Sequence, residues 1–175
     1  MHWPDDLDAA SLKQPDGFSC GATSVLVARL LWESGVAPAD PGAEIQHLHR
    51  TLTAPQDSSG RAQVPWPRAF GTPPWSVARA LSDLTGQEVE TDAVRLSADR
   101  GYDELVSRVE SRPVAAYVGS FLLPRHVVLA YGSTAGGNAV RVFNPATGRR
   151  LTVPRGRWIH HELDPLGWSH FWFVV

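Results

Sequence analysis

Gln14-Pro-Asp-Gly-Phe-Ser-Cys-Gly-Ala22 runs directly into Thr23-Ser-Val-Leu-Val-Ala-Arg-Leu-Leu-Trp-Glu-Ser-Gly35, and the reading of that junction decides the fold. The spacing predicts a helix from Cys20 to Ser34. Ser19 stands where a side-chain cap belongs, Gly35 can end the helix, and Val25, Leu26, Leu30 and Leu31 form a wide apolar face. Only Arg29 and Glu33 clearly want water, so the helix is expected to be largely buried. A cysteine at the start of such a helix has its thiolate favoured by the helix dipole and by free backbone N–H groups. The same N–H groups can hold the oxyanion formed when sulfur attacks a carbonyl. Gln14 can reach back to supply a second donor, and Gly21 lets substrate backbone approach.

Working outward, a helix is expected over about Gly42–Leu52, carried by Ile45, Leu48 and Leu52, another over Pro74–Thr85 with Gly86 as its stop, and a third over about Tyr102–Ser111. Between the first two of these lies Thr53–Trp75, rich in proline and without a period. A loop of that length is uncommon in a domain core, and it reads equally as a substrate-facing lid or as a structural loop. From Pro113 the signal changes to strands: Pro113–Val118, His126–Tyr131, Ala139–Phe143, Arg150–Val153 and Phe171–Val175, with turns at Ala135–Asn138 and Asn144–Gly148. Helices first and an antiparallel sheet second make an α+β fold. Its N-terminal helical part, with the nucleophile at a helix N-terminus, is expected to pack on a C-terminal antiparallel β-sheet.

A nucleophilic cysteine needs a base brought to it in space. Of the seven histidines, His126 is best placed, because it opens an apolar strand and would be held on rigid backbone. Asn144 ends the next strand after one hairpin, so antiparallel pairing brings it to His126, where its side chain can fix the imidazole tautomer. A thiolate–imidazolium pair is the resting state this arrangement predicts.

Gln14 followed six residues later by Cys20-Gly21, then His126-Val-Val-Leu-Ala-Tyr-Gly132 and Val142-Phe-Asn-Pro-Ala-Thr-Gly148, resembles the Gln, Cys-Gly, His and Asn/Asp blocks of papain-like cysteine peptidases. Within that superfamily the chain is most similar to the bacterial double-glycine peptidases and their stand-alone relatives. There a Pro-Val strand precedes the His strand, as Pro113-Val114 does here, and a later tryptophan is matched by Trp158. Ser19 stands where an Asp often precedes the Cys, and Asn144 replaces the usual Asp, which is the papain choice. The stretch from Gly35 to Arg112 matches only loosely. The resemblance implies a papain-like fold, Cys20 as nucleophile, His126 as base, Asn144 as its orienter and Gln14 in the oxyanion hole.

The remaining features narrow the classes. Length (175 residues), 43% hydrophobic and 19% charged residues suit one soluble domain spanning 1–175. A net charge of -2, a pI near 6.4 and scattered arginines give no reason to expect a nucleic-acid partner. No apolar run suggests membrane insertion, and the acidic Met1–Ala10 stretch lacks the pattern of a secretory signal, so a cytoplasmic location is the default, with signal-independent export left open. The lone cysteine fits a reducing compartment. Gly17-Phe-Ser-Cys-Gly21 satisfies G-x-S-x-G, but polar Lys13–Asp16 is a poor lead-in strand for a Ser19 nucleophile. His47 with His49, and His160 with His161, diverge and do not make a metal site. No cofactor is required. The expected activity is cleavage of a peptide or amide bond in a peptide or protein substrate. A papain-like deamidase, transglutaminase or acyltransferase, or an idle peptide-binding domain, are the alternatives; the oligomeric state is not legible.

Overall fold

Helix α1 (Cys20–Trp32) begins at the predicted residue and is buried along nearly its whole length. Its N-terminus is held differently from expectation. Ser19 has φ -91° and ψ 15°, which does not aim its oxygen at the first-turn N–H groups, and Oγ makes no hydrogen bond. Asp16 does that work instead, its Oδ1 accepting from the N–H groups of Phe18 at 2.8 Å and Ser19 at 2.9 Å. At the other end Ser34 takes the left-handed conformation, φ 50°, and Gly35 donates to the Leu30 carbonyl at 3.0 Å.

The computed structural model describes residues 1–175 as an α+β arrangement of five helices and one six-stranded antiparallel sheet. After α1 come α2 (Pro41–Thr53), α3 (Pro74–Thr85), β1 (Asp92–Ala93), α4 (Ala98–Val109), β2 (Val114–Gly119), β3 (Pro124–Ser133), β4 (Ala139–Asn144), β5 (Arg149–Pro154), α5 (Arg155–Ile159) and β6 (His170–Val174). The strands lie in the order β1-β6-β2-β3-β4-β5. Two features escape the sequence: β1 is only two residues, pairing with Val174 and Phe173, and α5 is a single short turn with no room for a period. Helix α4 also starts four residues before Tyr102. Gly101 is there for a close approach, since a Cβ would lie 2.5 Å from that of Val94.

Helices α1, α2 and α3 cover one face of the sheet, where Leu26, Leu81, Tyr117, Leu129 and Phe143 share a core. The second face is not free: α4 and α5 cover it, with Tyr102, Leu105, Val128, Trp158 and Phe171 in a second core. Burial on both faces explains why β2 is an unbroken apolar run, with all six residues buried, rather than an alternating one. The helices are thus split between the two faces.

The stretch between α2 and α3 is tied down. Gln63 donates its side-chain amide to the carbonyls of Thr51 at 2.8 Å and Ala54 at 2.9 Å. Asp57 accepts from Arg61 Nε at 2.7 Å and from Arg79 at 3.4 Å, and Arg61 also pairs with Asp83. Trp66 packs edge-on against Trp75, ring centroids 5.3 Å apart.

The hairpin joining β2 to β3 leaves no room at Gly119, where a Cβ would fall against Leu123 O and lie 2.7 Å from Pro124 Cα and 2.8 Å from Arg125 N. All three neighbours are backbone and cannot step aside cheaply. Gly119→Ala is therefore expected to destabilise the fold by about 1–3 kcal/mol, lowering the thermal midpoint by roughly 3–10 °C; an unchanged midpoint by calorimetry would contradict this packing.

Candidate active site

Of the four residues singled out by sequence, His126 and Asn144 are bonded to each other at one end of the sheet, while Cys20 is linked to them through the Val127 backbone and Gln14 through Pro145, with no hydrogen bond between Cys20 and His126. Cys20 is the first residue of α1 and only 4% exposed. Its sulfur faces the backbone N–H groups of Val127, Gly21 and Cys20 itself. Val127 follows His126, so nucleophile and imidazole sit on neighbouring backbone. His126, third in β3 and opposite Val118, is 5% exposed. Its Nε2 lies 2.8 Å from Oδ1 of Asn144, the last residue of β4. The β3–β4 ladder, with Leu129 opposite Phe143, brings those two ends together.

The Asn144 orientation follows from a second donor. Ala146 N–H points at the same Oδ1 from 3.1 Å, and an amide NH₂ could not accept it. His126 Nε2 must then carry the proton, and the neutral ring has its lone pair on Nδ1. Gln14 joins the group through its backbone, its N–H donating to Pro145 O at 2.9 Å, while its side-chain Nε2 donates to Asp16 O at 2.6 Å.

The electrostatics depart from the expected ion pair. Burial pushes the Cys20 thiol up from its ordinary 9.0 to about 11, the surrounding N–H groups offsetting only part of this, and the Asp16 carboxylate adds to the rise. Burial also pulls His126 below its ordinary 6.5, against the opposing hydrogen bond to Asn144. At neutral pH the groups are a neutral thiol and a neutral imidazole. With so little exposure, too little water reaches them to solvate separated charges, and the helix N-terminus does not compensate.

Three contributors were not singled out in advance. Asp16 braces both flanks of the nucleophile segment, its side chain on the Phe18 and Ser19 N–H groups and its carbonyl on Gln14. The Pro-Asp-Gly sequence carried that signal, since Asp in a turn readily accepts from N–H groups two and three residues on. Thr72 packs on Gly21 so closely that a Cβ there would lie 2.6 Å from the threonine Cβ. The space expected to admit substrate backbone is therefore filled. Tyr117, buried and opposite Val127, donates its hydroxyl to Thr72 O at 2.9 Å. No local pattern links residues so far apart in sequence. Of the stretch between α2 and α3, it is the Gly71–Thr72 end that packs on the segment around the cysteine, Thr72 on Gly21 and Gly71 beside Phe18 O.

Ser19 is fully buried and follows a loop, not a strand. Trp158 stands in the second core against Phe171, ring centroids 4.8 Å apart. His49 is buried, with Nε2 3.4 Å from Gly71 O. No family model and no curated protein matches the chain.

Two outcomes follow. A buried acid whose pKa rises on folding keeps a proton that the unfolded chain gives up, so its contribution is complete below pH 9.0 and lost as pH rises towards 11. Unfolding free energy from urea titrations is expected to fall between those limits by on the order of 2–3 kcal/mol more in wild type than in Cys20→Ala; equal losses would mean the thiol is not held neutral. Asp16→Ala is expected to cost about 1–2 kcal/mol of stability, and Asp16→Asn, which keeps the accepting oxygen, to recover most of it in the same titration.

Proposed function

We propose that this chain is a papain-like cysteine hydrolase that cleaves a peptide or amide bond. The observation that carries the reading is the fixed pairing of His126 Nε2–H with Asn144 Oδ1, which leaves Nδ1 free to act as a base; Cys20, opening a buried helix, faces the N–H of Val127, the residue after His126. The order of the Gln, Cys, His and Asn blocks supports it.

The chemistry follows from these groups. The Gly71–Thr72 stretch moves off Gly21 to admit the substrate carbonyl. As Cys20 Sγ bonds to the carbonyl carbon, its proton passes to His126 Nδ1, so no free thiolate has to persist in the buried site. Negative charge develops on the carbonyl oxygen, where the Cys20 N–H and the second Nε2 hydrogen of Gln14 receive it. Asn144 keeps the imidazolium aligned. Collapse breaks the carbon–nitrogen bond, His126 protonates the leaving amine, and a thioester remains on Cys20. Water, deprotonated by His126, then attacks the thioester, and the departing sulfur regains its proton.

Intact-mass analysis of peptides incubated with the protein tests this directly. Hydrolysis gives paired fragments, whereas deamidation of a glutamine gives one product heavier by about one mass unit through the same thioester. Cys20→Ala is expected to abolish turnover, and His126→Ala to slow it by roughly 10²–10⁴-fold. Because the base works in its neutral form, turnover rises as pH increases through the lowered His126 pKa, placing the acid limb below 6.5. Peptide retained without any change of mass would leave a binding domain as the function.

A further inference from the structure

Tyr117 is a buried titratable group that the chemistry above leaves unused. It sits in β2 within the first core, opposite Val127, whose N–H faces the Cys20 sulfur. Burial, and after it the nearness of Cys20, pushes its phenol well above the ordinary 10.0, so the hydroxyl keeps its proton. That proton is donated to Thr72 O at 2.9 Å. Thr72 in turn fills the space over Gly21, the residue after the nucleophile. A Cβ on Gly21 would lie 2.6 Å from the threonine Cβ and 2.9 Å from Oγ1. One tyrosine hydroxyl therefore holds a strap of loop against the start of α1.

The strap is short and hinged. Gly71 has φ 82° and ψ -148°, a region essentially reserved for glycine. Pro73 and Pro74 stiffen the other side and lead into α3, whose N-terminus has no side-chain cap. Upstream, Gln63 and the Asp57–Arg61 pair already tie the stretch down, which confines movement to the residues around Gly71 and Thr72. Polar ties across the strap are few. Gly71 N–H bonds within its own turn, to Arg68 O at 3.0 Å, and His49 Nε2 lies 3.4 Å from Gly71 O. Thr72 is only 4% exposed, yet its Oγ1 has no hydrogen-bond partner. A buried hydroxyl left unpaired has given up its hydration without replacement, and it regains water as soon as the strap lifts. The closed form thus carries a bias towards opening, and the Tyr117 bond opposes it.

We propose that the Gly71–Thr72 strap is an autoinhibitory gate over the Cys20 segment and that the Tyr117 hydroxyl is its latch, an inference that rests on the cysteine-hydrolase reading in naming Cys20 as the group guarded. Opening breaks the bond from Tyr117 to Thr72 O and clears the face of Gly21. The fraction of molecules with the latch undone sets how many can take a substrate, and the apparent affinity is reduced by that fraction.

Cys20 reports on the gate without any turnover. The full chain is treated with iodoacetamide at about pH 8, and the adduct is followed by intact mass with and without low urea. Wild type is expected to label far more slowly than the urea-unfolded chain, through a local opening whose rate barely responds to low urea. Tyr117→Phe keeps the ring, removes the latch and is expected to label roughly 3–30-fold faster. Gly71→Ala, which strains the closed strap at its positive φ, is expected to shift the rate in the same direction. Tyr102→Phe removes a matching bond in the other core, from Tyr102 Oη to Gly137 O at 2.7 Å, and is expected to leave the rate unchanged. Equal labelling of wild type and Tyr117→Phe overturns the latch. Equal acceleration in Tyr102→Phe, or a rate that climbs steeply with urea, assigns exposure of the sulfur to global loosening and overturns the gate. So does a wild type that labels as fast as the unfolded chain. Peptide cleavage with ungated labelling removes the gate and keeps the hydrolase reading, whereas gated labelling without cleavage keeps a guarded thiol and removes that reading.

Discussion

One side-chain oxygen organises the candidate site. Asn144 Oδ1 accepts from His126 Nε2 and from Ala146 N–H, while the Asn144 main-chain carbonyl accepts from Gly148 N–H at 2.9 Å. The imidazole is thereby fixed to the same turn that ends β4. Pro145, next in that turn, accepts from Gln14 N–H, which anchors the segment leading to Cys20. Three stretches far apart in sequence are thus held in register by two adjacent residues, Asn144 and Pro145, the first almost fully buried. Buried polar groups that are fully satisfied specify a single geometry, because breaking any one bond strands a donor in an apolar surrounding.

The packing that supports this cluster comes from a sheet covered on both faces. Strand β2 lies at its centre and touches both cores, so Tyr117 faces the α1 side while Val118 faces the α4 side. The hairpin presenting His126 is therefore gripped from above and below. Its close backbone crossing at Gly119 leaves the imidazole little freedom.

Much of this was legible in sequence, and the failures have physical causes. The five principal strands and four longer helices announce themselves because each buries a face, and Cys20, His126 and Asn144 stood out because chemistry needs those residue types in that order. The bracing by Asp16 was available in the Pro-Asp-Gly turn, yet the adjacent serine looked the better cap until its backbone angles were known. What sequence cannot supply is closeness between distant residues. Thr72 against Gly21, and Tyr117 against Thr72, arise only once the sheet has formed, as does the burial that raises the Cys20 pKa and lowers that of His126. The covering of both sheet faces was hidden for a related reason: an unbroken apolar strand looks the same in a buried helix segment until its neighbours are placed.

The closed packing around Cys20 also bears on chemical ageing. Peroxides oxidise thiolates that are exposed, and a sulfenic acid is rescued most readily by a nearby second thiol. This chain has one cysteine and no such rescuer. A sulfur this deeply buried and kept protonated is shielded from that damage, which counts for most in a chain whose single thiol has no partner to restore it.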